Sequence, residues 1–86
     1  MKLIKFYATW CEPCKMLEKV VEAKKDQIPE DWTYSNIDID QDMNSAKALN
    51  VRGVPTLVIM SDDNVEVRRH VGFLSERDFE QFLRGR

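Results

Sequence analysis

Cys11 and Cys14 are the only cysteines in the chain, and only Glu12 and Pro13 separate them. An apolar run ends just before the pair, and a charged helical pattern begins just after it. A thiol at the start of a helix faces N–H groups that have no intrahelical partner, and it feels the positive end of the helix dipole. Both favour a thiolate, and in Cys-x-x-Cys pairs the reactive thiol ionises with a pKa of roughly 3.5–7.5. Cys11, ahead of the helix, is expected to be exposed, and Cys14, one turn in, to be covered. The spacing lets Cys14 reach back to Cys11. That suits an attacking thiol and a resolving thiol in reversible disulfide exchange. Other readings explain less. A zinc site needs four ligands, and His70 is the only other obvious donor. A structural disulfide would stay open in a reducing cytosol. An unreactive pair leaves the strand-to-helix placement unaccounted for.

The elements that must hold this pair follow from periodicity. Residues 2–8, "KLIKFYA", are large and apolar and read as a buried strand. Leu17, Val20 and Val21 then recur at helical spacing, with Glu18, Lys19, Glu22, Lys24 and Lys25 on the other face, in a helix that ends before Pro29. Pro13 is tolerated in its first turn. Residues 31–39 read as a second strand and 40–50 as a short helix, with Met43, Ala46 and Leu49 on one side and Asn50 as its stop. "PTLVIM" (55–60) is a third strand, "SDDN" (61–64) a turn, and "VEVRRHV" (65–71) a half-exposed fourth strand. The last helix opens on a Ser75 cap with Asp78 three residues on, Leu74 and Phe79 as a hydrophobic staple, and Gly85 as its end. The order β-α-β-α-β-β-α predicts an α/β fold. Its first two strands are parallel, its last two antiparallel, and helices cover both faces of a four-stranded mixed sheet.

Length and composition narrow the function. Eighty-six residues make one domain with one modest core. A hydrophobic fraction of 43% beside 33% charged residues is that of a globular chain. A net charge of −2 offers no electrostatic reason to bind nucleic acid or an anionic membrane. Arg68, Arg69 and His70 form the only basic cluster, and it reads as a solvated strand face. "TLVIM" is far short of the ~20 residues of a membrane span. Lys5 interrupts the N-terminal apolar run and no small-residue cleavage site follows, so a cytoplasmic protein without a signal peptide is expected.

"WCEPCK" (10–15) resembles the active site of the thioredoxin family, W-C-x-P-C-K, with Trp10, Pro13 and Lys15 in place and Glu12 where Gly is usual. "IDIDQD" (37–42) is similar to the corner after the family's second parallel strand, "VRGVPTLVIM" (51–60) to its cis-proline loop, and "HVGFLSERDFEQFL" (70–83) to the entry to its final helix, with Gly72 at a close-packing glycine. The likeness spans nearly the whole chain. It implies the minimal thioredoxin fold, with the family's first strand and helix missing and strand 32–38 left as an open edge. It also implies a protein disulfide reductase with no cofactor beyond its own dithiol. Cys11 is then the nucleophile and Cys14 the resolving thiol. The backbone of Val54 beside a cis-Pro55 would hold an extended substrate, and Trp10 and Gly72 would complete an apolar rim. The implied partners are disulfide-containing proteins, with ribonucleotide reductase the family-based guess, and a thioredoxin reductase. No nucleic acid or membrane is expected, and the chain is expected to be a monomer.

Two departures bear on chemistry. Glu12 puts a carboxylate beside Cys11, which opposes the thiolate and makes the disulfide harder to reduce. Where the family keeps a buried Asp that assists the buried thiol, this chain has Lys5, and the Lys partner of that Asp falls at Asn36. Carry-over places Lys5 beneath Cys14, where a neutral amine can accept the thiol proton. The alternative is that Lys5 snorkels to the sheet edge and pairs with Asp38 or Asp40. Two other functions remain open. A glutathione-dependent glutaredoxin fits the length, although it typically carries C-P-Y-C and an anion site before the last helix. A non-catalytic interaction subunit would keep its effect without the thiols.

Overall fold

In a computed structural model, which describes residues 1–85, the elements are β1 (Lys2–Tyr7), α1 (Glu12–Ala23), β2 (Thr33–Asp38), α2 (Met43–Ala48), β3 (Thr56–Met60), β4 (Glu66–Val71) and α3 (Glu76–Arg84). A short 3-10 turn, Lys25–Gln27, continues α1. The strands form one sheet in the order β2-β1-β3-β4. β1 pairs parallel with β2 and antiparallel with β3, and β4 runs antiparallel to β3. The expected α/β architecture and mixed sheet are therefore present. β2 lies at an edge.

β1 and β3 are central, which is why β3 is apolar throughout after Thr56 and β1 is apolar apart from Lys2 and Lys5. Alternation divides them between two cores. Leu3, Leu57 and Ile59 pack with Leu17 and Val21 of α1 and with Phe79, Phe82 and Leu83 of α3. Phe6, Val58 and Met60 pack with Ala46 of α2 on the other face. Helices thus cover both faces. α1 follows its apolar spacing, with Leu17 and Val21 buried, and Pro13 sits in its first turn. Ser75 caps α3 by accepting the Asp78 N–H at 3.1 Å, and Leu74 shares the Phe79 cluster.

Several expected details change. β2 begins at Thr33, because Asp31 lies in a turn and Trp32 packs against the α1/α3 core. β3 begins at Thr56, and β4 at Glu66. α2 is only Met43–Ala48, capped by Asp42, and Met43 is exposed, so Ala46 carries that helix's buried contact. Asn50, with φ 55°, adopts the left-handed conformation that suits a stop. The basic cluster is not a solvated face. Arg68 donates to the carbonyls of Phe82 and Leu83, and Arg69 to that of Leu49. Neighbours on a strand point to opposite faces, so the two guanidiniums cap the ends of α3 and α2 on opposite sides of the sheet.

Candidate active site

β1 ends at Tyr7, and the chain turns through Ala8, Thr9 and Trp10 into α1. Cys11 is the N-cap of that helix. Its backbone is extended, and its Sγ accepts the Cys14 N–H at 3.2 Å. A sulfur here takes the place that a Ser or Asp oxygen takes in other helices and satisfies an otherwise free donor. Cys11 and Cys14 are joined as a disulfide, with their Cα atoms 5.2 Å apart. The exposure expected for Cys11 is not found. It is 5% exposed against 3% for Cys14, since Ala8, Tyr7, Ile39 and Val54 pack around both.

The surroundings come from elements far apart in sequence. The Val54–Pro55 bond is cis, and the Pro55 carbonyl accepts the Gly72 N–H at 2.8 Å, which ties the loop to the end of β4. Among the described residues, neither backbone polar group of Val54 is hydrogen-bonded. The close packing expected at Gly72 is not found, since a Cβ there would meet nothing within 4 Å. Its φ of +104° is the reason for glycine, since L side chains rarely adopt it. Trp10 is not core. It is 66% exposed and held on the surface by a 2.9 Å bond from Nε1 to Asp40. Val71 and Phe73, on either side of Gly72, are exposed apolar residues.

Of the two charged departures, Glu12 gains a partner and Lys5 differs from expectation. The Glu12 carboxylate accepts from Lys15 Nζ at 3.1 Å in an exposed pair, so its charge is accompanied by a cation. Lys5 is fully buried and pairs with Glu18 of α1 at 2.9 Å, not with Asp38 or Asp40. The reason is alternation. Lys5 shares with Leu3 the face of β1 that α1 covers, while Asp38 and Asp40 lie at and beyond the end of β2. Asn36 is its register partner on β2. By helical spacing alone Glu18 belongs to the polar face of α1. Its signal lay in the question of which acid neutralises a lysine on a central strand. Glu18 also lines, with Tyr7, Ala8, Thr9, Cys14 and Lys15, an open cavity of about 230 Å³.

Among the described residues, no group of three or more His, Cys, Asp or Glu could hold a metal ion, and no helix is long and apolar enough to cross a membrane. What the site can do is make and break one disulfide.

The known proteins that the chain resembles agree. The thioredoxin family model matches residues 1–85. A thioredoxin from Chlamydia trachomatis is 42% identical over 88% of this chain and 72% of its own length. One from Mycoplasmoides gallisepticum is 30% identical over 95% of this chain and 80% of its own. A solved structure of a mutant thioredoxin from Halobacterium salinarum superposes with a TM-score of 0.83, at 40% identity, covering 98% of this chain and 72% of that one. The chain belongs to the thioredoxin family, and its Cys11–Cys14 pair is the dithiol of a thiol–disulfide oxidoreductase.

Proposed function

We propose that this chain is one redox domain that reduces protein disulfides, with Cys11 as the attacking thiol and Cys14 as the resolving thiol. The observation that carries the assignment is the N-cap position of Cys11, whose Sγ accepts a backbone N–H. That donor and the helix dipole both favour a thiolate at Cys11. The thiolate attacks a substrate disulfide and forms a mixed disulfide. Cys14 then attacks Cys11, the substrate leaves reduced, and Cys11–Cys14 is left oxidised.

The unpaired backbone groups of Val54, beside Pro55, suit an extended substrate segment laid on as an added strand. Trp10 and Gly72 border it. Pro13 and Lys15 shape the first turn of α1 and its charge. The reading includes a cytoplasmic monomer that binds neither nucleic acid nor membrane. It needs no cofactor, takes electrons from a thioredoxin reductase and passes them to proteins such as ribonucleotide reductase. Family membership supports this reading over the glutathione-dependent one.

A Cys14→Ser variant should accumulate mixed disulfides through Cys11. Limited alkylation of the reduced protein at neutral pH should label Cys11 first. Preferential labelling of Cys14, or mixed disulfides that form only when Cys14 is kept, would reverse the roles. Reduction by NADPH with a thioredoxin reductase, and not by glutathione, checks the electron donor.

A further inference from the structure

Cys14 must lose a proton to attack Cys11, and the carboxylate paired with buried Lys5, that of Glu18, lines the same cavity as Cys14. We propose that Glu18, held in place by buried Lys5, accepts the Cys14 proton through water in the cavity that the two residues share. This rests on Cys14 being the resolving thiol.

The placement follows from helix geometry. Cys14 and Glu18 stand at i and i+4 on α1, so they lie one above the other on one face. Both line the 230 Å³ cavity, and Glu18 is its only carboxylate. The volume is large enough for several water molecules, and Tyr7 and Thr9 are among its lining residues. Glu18 Oε2 is engaged by Lys5 at 2.9 Å, while among the described residues Oε1 has no partner. Lys5 is a positioning residue here. Its stem is buried on a central strand, so its ammonium fixes where the carboxylate stands, and at 63% exposed the carboxylate passes a proton on to solvent.

Other charged groups face the same region. Lys15 lies on the cavity wall and is paired with Glu12. Glu22 lies one turn further along α1. Tyr34 of β2, across the sheet edge, feels the charge of both Glu18 and Glu22. Burial first, and then those charges, push its pKa up to about 12, so it stays neutral and does not compete for the proton near pH 7.

In the resolving step the Cys14 S–H proton passes through water to Glu18. The Cys14 sulfur forms a bond to Cys11 Sγ, and the bond from Cys11 to the substrate sulfur breaks. The substrate leaves as a thiolate with the electron pair, and Glu18 returns the proton to that thiolate or to water. The chain loses two electrons and the substrate gains them. When a reductase reopens the disulfide, protonated Glu18 supplies the proton back to Cys14.

The test loads Cys11 with 5-thio-2-nitrobenzoate and follows release of that coloured thiolate by stopped flow across about pH 6–9. A Cys14→Ser control must not release it. If it does, the assignment of Cys14 fails, independently of Glu18. In the charge-neutral pair Lys5→Met/Glu18→Gln, checked for folding by circular dichroism, release near pH 7 should slow about tenfold or more, the low end for loss of a general base. Lys5→Met alone, which keeps the carboxylate, should lose less. Wild-type release by the folded double variant across the pH range overturns the proposal. A second measurement needs no variant. In the reduced wild-type protein, the Glu18 Cδ and Cys14 Cβ carbon shifts should each show the other's titration as a second inflection. Two independent single-step curves overturn it as well.

Discussion

Glu12 is the residue at which this active site departs most visibly from its family's usual motif, and its effect is decided by its neighbour. Alone, a carboxylate beside Cys11 would oppose the thiolate and hold the disulfide's potential low. Paired with Lys15 at 3.1 Å and open to solvent, it is largely offset. Glu12→Gly removes the carboxylate and frees the Lys15 charge, and both changes favour thiolates. Redox titration against glutathione should show a less negative potential, by less than about 20 mV, since an exposed pair contributes under ~1 kcal/mol and 30 mV corresponds to about 1.4 kcal/mol for two electrons. Lys15→Met should move the potential the other way. A more negative value for Glu12→Gly would show that the carboxylate acts on the site by some other route.

The elements carry their own switches. Asp42 caps α2 by accepting the Ser45 N–H at 3.1 Å and the Ser45 hydroxyl at 2.6 Å. These bonds hold its carboxyl below the usual value of 3.8. A depressed folded pKa means that the ionised cap stabilises the helix at pH values above 3.8 and loses that effect as pH falls through the lowered value. Hydrogen exchange of the Ser45 amide should therefore show protection at neutral pH that fades in acid. Asp42→Ala should lack both the protection and its acid dependence. At the end of β4 the device is conformational. Gly72 has room for a Cβ but holds φ +104°, so Gly72→Ala is strained without a clash. It should cost about 1–2 kcal/mol in denaturant unfolding and slow insulin reduction by loosening the loop tied to the Pro55 carbonyl. An unchanged midpoint would mean that the turn adapts.

At the scale of the whole molecule, the Lys5–Glu18 pair spans the sheet and α1 and makes the two partners unequal. Lys5 is wholly buried, whereas Glu18 is mostly in water. Glu18→Gln leaves an ammonium in the core without its counter-charge and should cost about 3 kcal/mol, the low end for one partner of a buried pair, because solvent reaches the site. Lys5→Met leaves a solvated carboxylate above an apolar side chain of similar length, and should change stability by less than about 1 kcal/mol. Urea unfolding of the two variants checks this. Equal losses would show that the pair, and not the desolvated lysine, controls the energy. The same packing leaves β2 as an edge, guarded by polar Thr33, Ser35 and Asn36 in place of a further strand.

Local patterns were enough to determine the order of elements, the cap at Ser75, and the chemistry of the Cys-x-x-Cys pair. Each depends on residues within a turn or two of one another, where spacing and propensity act directly. The motifs around Trp10, Pro55 and Gly72 were legible too, but the physical reasons for them were not. Trp10 is tied at the surface to Asp40 thirty residues away, and Gly72 is glycine for its backbone angle, not for close packing. The burial of Cys11 was missed because Ile39 and Val54, which cover it, arrive from other strands and loops. The partner of Lys5 was missed for the same reason. Alternation along β1 could say which face it takes, but only the docking of α1 on that face brings Glu18 within 2.9 Å. Arg68 and Arg69 looked solvated until the ends of two helices met opposite faces of one strand. Long-range contacts of this kind arise from how layers pack, and no short stretch of the chain contains that information.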